Sequence, residues 1–374
     1  MGLNIGFDGG PTAQGAGVGR YSSCLLRALL SHRCDDAFTI VLPRGMALPS
    51  AVDEARCRWH AVRLPVGARA AELLWHRLRL PVPVDVIAGR LEVFHSPNFL
   101  LPPLRRARGV VTVHDLSFLR VPQFAYPGLV RYLAKAVPLS VNRADVVLAD
   151  SQCTADDVVE LLGVPQDRVR VIYPGVGPEY GPQPERGERE ALRAAYALDR
   201  PFVLCVGTIE PRKNYPNAIE GFGRFVQRTG FAGYLAIAGA TGWMADDSLE
   251  AARRAGPAVK VLGRVPEEHL PALYRQATAL LYPSHYEGFG LPPLEAMACG
   301  TLVVVAANSS LPEAAGDAAV YCSTDAESIA GALAEALSDD SRAEERRRRG
   351  LKRARRFTWE RAAEAVRDIY HELA

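Results

Sequence analysis

Glu287-Gly-Phe-Gly-Leu-Pro-Pro-Leu-Glu295 sets two carboxylates on either side of a glycine loop and a Pro-Pro pair. Pro292 and Pro293 preset φ for a helix start and give up only N–H groups that a first turn leaves free. Gly288 and Gly290 remove side chains, so backbone donors can approach a ligand. The helix they open offers partial positive charge to a diphosphate at its N-terminus. Glu295, expected within the first turn, can accept two ribose hydroxyls, and Glu287, ahead of the glycines, can meet hydroxyls of a sugar. A loop before an ordinary helix explains one glutamate that complements the dipole. It does not explain two spaced by seven residues across a strand, a glycine loop and a Pro-Pro helix start.

Thr208-Ile-Glu-Pro-Arg-Lys-Asn214 follows an apolar run at 202–206. Arg212 and Lys213 are adjacent cations on a strand-end loop just before a helix, a sensible clamp for a diphosphate. Gly15-Ala-Gly-Val-Gly-Arg-Tyr21 follows the first apolar run. It does not fit G-x-G-x-x-G with an acidic residue closing the next strand, which disfavours a dinucleotide site. His114-Asp115 ends another apolar run, where a histidine is either a satisfied structural residue or a group facing a ligand. His95-Ser-Pro-Asn98 is a similar strand-end loop and a candidate wall on the acceptor side. Asn308-Ser-Ser-Leu-Pro-Glu313 carries hydroxyls that either face a donor or cap the next helix, with the cap preferred.

These loops need a scaffold, and the chain has the pattern for one. Short runs at 3–8, 38–42, 59–64, 93–95, 110–114, 146–149 and 169–173, most of them continuously apolar, read as strands buried on both faces of a parallel sheet. Helical patterns at 18–30, 129–142 and 153–162 fall between them, the alternation of a doubly wound domain. Pro174-Gly-Val-Gly-Pro178, Gly181-Pro-Gln-Pro184 and the charged run that follows break the pattern. It restarts at 202–206, 234–238, 259–262, 279–282, 302–305 and 319–322. The expected organisation is an acceptor-side domain at 1–178, a linker at 179–200 and a nucleotide-sugar domain at 201–357. A final helix at 358–374, with Thr358 as N-cap, can pack back on the first domain. Two such α/β domains are expected to face a central cleft, with ligands at the carboxyl ends of the strands.

Bulk composition agrees with an enzyme rather than a nucleic-acid binder. The chain has 374 residues, more than one core usually holds, and a net charge of only +2. Its seven cysteines stand singly, which reads as a reducing compartment without a disulfide framework or zinc site. No basic n-region opens the chain and no apolar stretch reaches the ~18 residues of a spanning helix, so a cytoplasmic location is expected. Residues 342–356 hold nine Arg/Lys and two glutamates without interleaved aromatics, which favours a solvated helix face over nucleic acid. Residues 63–79 mix Arg69, Arg77 and Arg79 with Leu73, Leu74, Trp75 and Leu78. That pattern suits either an anionic membrane surface or a core helix with snorkelling arginines.

With these motifs in place, the sequence resembles the large retaining, GT-B-fold glycosyltransferase family 4, in its bacterial mannosyltransferase-like, polysaccharide-building branch. The family's signature of a glutamate, seven residues and a second glutamate is matched by Glu287 and Glu295. The resemblance implies that Phe289, Gly290 and Leu291 contact donor sugar and phosphate through backbone, and that Arg212 and Lys213 serve the phosphates. It further implies that Gly17 and Gly19 close over the donor diphosphate, that His114 meets the transferred sugar, and that Val265 borders the base. Some relatives carry a second cation just after the strand glycine, where this chain has Thr208.

The expected activity is transfer of a hexose, mannose from GDP-mannose being the first choice, to a glycan, lipid-linked or small-molecule acceptor. No metal and no cofactor is expected, because no carboxylate cluster with metal spacing lies near these loops. Retention follows from the resemblance and suggests attack on the same face as the leaving group. The rival readings are a GT-B-like sugar-nucleotide epimerase, a nicotinamide dehydrogenase and a non-catalytic sugar-nucleotide-binding partner.

Overall fold

The computed structural model describes residues 2–13, 15, 17–32 and 35–374, so Ala16 of the glycine loop and Cys34 lie outside the described residues. The chain divides into two compact units. The first comprises Met1–Arg120, Gly128–Gly175 and Thr358–Ala374, and the second Val121–Pro127 and Val176–Phe357.

In the first unit, seven strands form one sheet: β1 (Asn4–Asp8), β2 (Ala37–Leu42), β3 (Arg58–Arg63), β4 (Val93–Ser96), β5 (Arg108–Val113), β6 (Val146–Ala149) and β7 (Val169–Val171). Their order is β3-β2-β1-β4-β5-β6-β7, with every pairing parallel. β4 and β6 are buried throughout, whereas β3 at the edge has four exposed residues and only Trp59 and Val62 half-buried. This is why the central runs are continuously apolar and Arg58-Trp-His-Ala-Val-Arg63 is not. The closing helix Trp359–Leu373 belongs to this unit and sinks Trp359, Val366, Ile369 and Tyr370 into its core. Thr358 caps it by accepting from the Arg361 amide.

The second unit has β8 (Phe202–Val206), β9 (Tyr234–Ala238), β10 (Val259–Gly263), β11 (Ala279–Tyr282), β12 (Leu302–Ala306) and β13 (Val320–Cys322). They are again all parallel, in the order β10-β9-β8-β11-β12-β13. Each sheet starts in the middle, winds outward and then reverses. The reversals fall between β1 and β4 and between β8 and β11. At such a switch point the two loops leave in opposite directions and open a crevice at the strands' carboxyl ends.

Two expectations need correction. Residues 179–200 are not a free linker: they form the helix Glu188–Tyr196 and bury Tyr180, Leu192 and Leu198 in the second unit's core. The proline- and glycine-rich start hides this, but the Arg275 guanidinium donates to Glu188 at 2.8 Å and clamps the helix down. Cys57 is disulfide-bonded, against the reading of seven single thiols. Sequence spacing does not show which cysteines a fold brings close; Cys24, Cys153, Cys205, Cys299 and Cys322 form no disulfide.

The basic segments separate clearly. Residues 342–356 lie mostly on the helix Asp340–Ala354, where Arg348 and Arg349 both pair with Glu345 at 2.8 Å and Arg353 donates to the carbonyls of Glu313 and Ala314. That is a solvated face stitched by its own ion pairs. Residues 63–79 break into the short turns Ala68–Glu72 and Leu73–Arg77. Trp75 packs against the core there, while Leu73 and Leu78 point out. Among the described residues, no helix is long and apolar enough to cross a membrane.

Candidate active site

The second sheet's switch point gathers the chemistry. Past β8, Gly207 turns with φ +144, and a Cβ there would stand 3.0 Å from the Lys213 Cε, so the glycine makes room for the lysine stem. A single turn at Pro211–Lys213 follows, and Asn214 leaves it at φ 60 to enter the helix Tyr215–Thr229. The Asn214 amide donates to the carbonyls of Pro283, at 3.0 Å, and Thr324, at 2.7 Å. The His285 amide donates to the Arg212 carbonyl at 2.9 Å. The loops after β8 and β11 are thereby tied backbone to backbone, which holds the cations in one place.

Arg212, Lys213 and Glu287 meet there. The Glu287 carboxylate takes Lys213 Nζ at 2.7 Å on one oxygen and Arg212 Nη1 at 2.9 Å on the other. Lys213 also donates to the Tyr282 hydroxyl at 2.6 Å, and Arg212 to the Tyr286 carbonyl at 2.8 Å. A second carboxylate, Glu210, takes Arg212 Nη2 at 2.7 Å and is 2% exposed. Two cations thus face two carboxylates in a nearly dry cluster. Burial alone would lift the Glu287 carboxyl, but Arg212 and Lys213 overcome it and hold it down to about 2. Burial pushes Lys213 down from its ordinary range, against the pull of Glu287. Burial also pushes Glu210 up, against Arg212.

The glycine loop is held from below. The Ser309 hydroxyl accepts the Glu287 amide at 2.9 Å, and Ser310 donates to the carbonyls of Glu287 and Phe289, each at 2.9 Å. These hydroxyls neither cap the helix that follows nor stand free for a donor, which corrects the preference for a cap. Ser310 is backbone N-cap of Leu311–Ala315 but makes no side-chain cap. Gly290 has φ +114, and a Cβ on it would meet Leu311 Cδ2 at 2.9 Å, so this position demands glycine. Gly288 is buried within the same loop. The Phe289 ring goes into the core against Phe357, with centroids 5.4 Å apart, while Leu291 and Val265 pack on that core from its edge.

Glu295 departs from its expected place. The helix is Leu291–Ala298, with Gly290 as N-cap, so Glu295 is its fifth residue and the first turn holds no acid. The glutamate is 1% exposed and accepts from the Tyr274 hydroxyl at 2.8 Å. Two prolines fill the positions that would have carried it nearer the N-terminus.

In the first unit, Gly17 takes φ 48 as N-cap of the helix Val18–Ser31, and Gly19 is buried in that helix's first turn. His114 sits one residue beyond β5. Its Nδ1 lies 2.7 Å from Asp150 Oδ2 and its Nε2 2.9 Å from the Pro97 carbonyl. The Pro97 carbonyl can only accept, so Nε2 donates to it, while Nδ1 and the Asp150 carboxyl share one proton. Burial opposes an imidazolium, but Asp150 outweighs it and holds the imidazole above its ordinary value. Burial also lifts the Asp150 carboxyl, against the pull of His114. A raised folded value means that the stabilisation is complete below the unfolded pKa of about 6.5 and fades as pH rises through the folded one. Asp150→Asn should therefore cost more stability at pH 6 than at pH 9 in urea unfolding. Equal losses at the two pH values would show a neutral ring.

His95 is no acceptor wall. It is buried, its nitrogens bonded to Tyr370, at 2.6 Å, and Thr112, at 2.9 Å, and it pins the closing helix to the sheet. Sequence reasoning missed Glu210 and Tyr282, and it singled out Ser309 and Ser310 without their role beneath the glycine loop. Glu210 had a readable signal, an acid two residues before the Arg-Lys pair. The others depended on which strand ends the fold makes neighbours.

Two doubly wound parallel sheets, with paired cations and a glutamate where the second one switches, have the architecture of GT-B glycosyltransferases. Residues 16–180 match the model of Glycosyltransferase Family 4, and residues 188–356 that of Glycosyl transferases group 1. The chain is 34% identical over 285 residues to O-antigen chain mannosyltransferase B of Escherichia coli, across 75% of this chain and 74% of that one. In fold it is similar to sucrose-phosphate synthase from Thermosynechococcus elongatus, with TM-score 0.75 and 20% identity over 99% of both chains. It is also similar to Anabaena HepE in complex with UDP-glucose, with TM-score 0.74 and 14% identity over 99% of this chain and 100% of that one. The chain belongs to the group 1, family 4 glycosyltransferases and is a glycosyltransferase with two Rossmann-like sheets.

Proposed function

We propose that the chain transfers mannose from GDP-mannose to a growing glycan or lipid-linked acceptor, with retention and without a metal. The observation that carries this reading is the meeting of Arg212, Lys213 and Glu287 at the second sheet's switch point. A diphosphate laid there finds two fixed cations, and Glu287 stands where hydroxyls of the attached sugar would reach it. The E. coli relative is named a mannosyltransferase of the O-antigen chain, which supports both sugar and acceptor class. Glu295 is assigned to the ribose, Gly288, Phe289, Gly290 and Leu291 to the donor through their backbone, and Val265 to the edge of the base. Gly17 and Gly19 are assigned to the diphosphate and His114 to the transferred sugar, on the family resemblance.

In the transfer, the bond from the anomeric carbon to the diphosphate breaks through an oxocarbenium-like state. The acceptor oxygen bonds to that carbon on the same face, and its proton passes to the departing phosphate oxygen. The leaving group gains charge, so Arg212 and Lys213 stabilise the transition state more than the ground state. They supply the countercharge that a divalent ion provides elsewhere. A thermal-shift panel of GDP-, UDP-, ADP- and dTDP-sugars tests the donor, since a ligand at 100 times its Kd stabilises by about 2.7 kcal/mol. GDP-mannose should give the largest shift. Transfer of labelled mannose should then continue undiminished in EDTA. Strict dependence on Mg²⁺ or Mn²⁺ would overturn the metal-free reading, and NADH binding would overturn the donor.

Leu73, Leu78, Leu80, Val82 and Val86 are all exposed, Leu78 and Val86 by more than half, close in sequence to Arg69, Arg77 and Arg79. We assign this segment to the surface of an anionic membrane, where a lipid-linked acceptor would be presented. The protein should co-sediment with phosphatidylglycerol vesicles and not with phosphatidylcholine ones. Leu78→Glu with Val86→Glu should abolish that, and binding that survives would remove the assignment.

A further inference from the structure

The ion cluster has no net charge to offer. Arg212 and Lys213 are balanced by Glu287 and Glu210, and all four side chains are largely out of water. A diphosphate that engages the two cations adds negative charge to a site that already holds two carboxylates. In a medium of low dielectric that excess costs far more than in water. Either a carboxylate must move to solvent or one must be neutralised.

The two carboxylates are not equivalent. Glu287 bonds both cations and its loop is fixed by Ser309 and Ser310, and it is the stronger acid of the two. Glu210 has one ion-pair partner, Arg212, and is the more deeply buried. If Arg212 turns toward a phosphate, Glu210 loses its direct ion pair while remaining in the dry interior, and Lys213, the other cation near it, is drawn to the same phosphate. Facing it are Arg212 and Lys213 from its own loop, Glu287 from the loop after β11, and Tyr215 from the helix Tyr215–Thr229. Tyr215 donates its hydroxyl to the Gly207 carbonyl at 2.7 Å and stays neutral.

We propose that Glu210 takes up one proton from solvent when the diphosphate of a sugar nucleotide engages Arg212 and Lys213. The carboxylate gains the proton, the cluster keeps a positive excess for the diphosphate, and the proton returns to solvent when the nucleoside diphosphate leaves. Glu210 thereby acts as a proton-accepting counter-ion beneath the leaving group, not as a group that touches it. Its burial, which already raises its affinity for a proton in the free protein, works in the same direction.

This inference rests on the sugar-nucleotide reading above. A sugar nucleotide is the right probe because its diphosphate, substituted at both ends, has no group of its own that titrates near neutral pH. Calorimetric titration with GDP-mannose, in buffers of different ionisation enthalpy at pH 7.5, measures proton uptake directly. Wild type should take up a substantial fraction of one proton, and its affinity should fall roughly 3- to 10-fold per pH unit above that point. Glu210→Gln should still bind GDP-mannose, with no uptake and a flat pH dependence. Wild-type binding without uptake overturns the proposal even if the variant fails to fold. Uptake that persists in Glu210→Gln overturns it too, and moves the proton to Lys213, the other group that burial brings toward neutral pH. Failure of GDP-, UDP-, ADP- and dTDP-sugars alike to bind would instead overturn the donor reading, and this inference with it.

Discussion

Lys213→Ala is expected to slow transfer by roughly 30- to 1,000-fold, about 2–4 kcal/mol of transition-state stabilisation. The loss should fall mainly on kcat, because charge on the leaving phosphate develops as the anomeric bond breaks. The geometry makes this a clean experiment. Lys213 Nζ is held between Glu287 and Tyr282, but Glu287 keeps Arg212 at 2.9 Å when the lysine is gone. The variant should therefore fold, which a urea titration would verify. Turnover close to wild type in a folded Lys213→Ala protein would take the lysine out of the diphosphate site. The site's neutrality sharpens the expectation, since removing one of two cations leaves the cluster with a net negative charge that opposes the charge developing on the leaving phosphate.

Glu287→Gln should separate chemistry from nucleotide binding. Glutamine keeps the shape but cannot balance Arg212 and Lys213, and removing one partner of a buried ion pair costs about 3–5 kcal/mol of stability. The kcat should fall roughly 10- to 150-fold, corresponding to about 1.5–3 kcal/mol for a charged hydrogen bond that tightens as the hexose gains charge. Affinity for free GDP should hold or rise, because both cations lose the carboxylate that competes with a phosphate for them. Glu295→Ala should do the reverse and weaken GDP along with the donor. Should Glu287→Gln lose GDP affinity as badly as Glu295→Ala, the assignment of one glutamate to sugar and the other to ribose is wrong.

Most strands were legible because parallel strands buried on both faces must be continuously apolar. β6, β8, β9 and β11 have the bounds that their apolar runs give. The helix Glu188–Tyr196 was missed for the opposite reason. Four of its nine residues are charged and no apolar run marks it, and it is held by Leu192 in the second unit's core and by the buried pair of Arg275 with Glu188, 87 residues apart in the chain. The placement of Glu295 in a first turn failed by a single residue, since helix start signals fix a boundary only to within a turn.

What the sequence by itself determined is chemistry written in neighbouring residues. The Arg212-Lys213 pair and the two glutamates around a glycine loop are legible because each set lies within a few consecutive residues of one strand end. What only the tertiary structure decided is which loops meet. Lys213 and Glu287 are 74 residues apart and reach 2.7 Å because β8 and β11 are neighbours where the sheet reverses direction. The pairing of β11 with β12 brings Ser309 and Ser310 under Glu287, and the pairing of β5 with β6 makes Asp150 the partner of His114. Glu210 shows the limit most sharply. Its place two residues before the Arg-Lys pair is visible in the sequence, but only burial beside Arg212 turns it into a carboxylate whose charge the site must reckon with, because the low dielectric of the interior leaves no water to screen it.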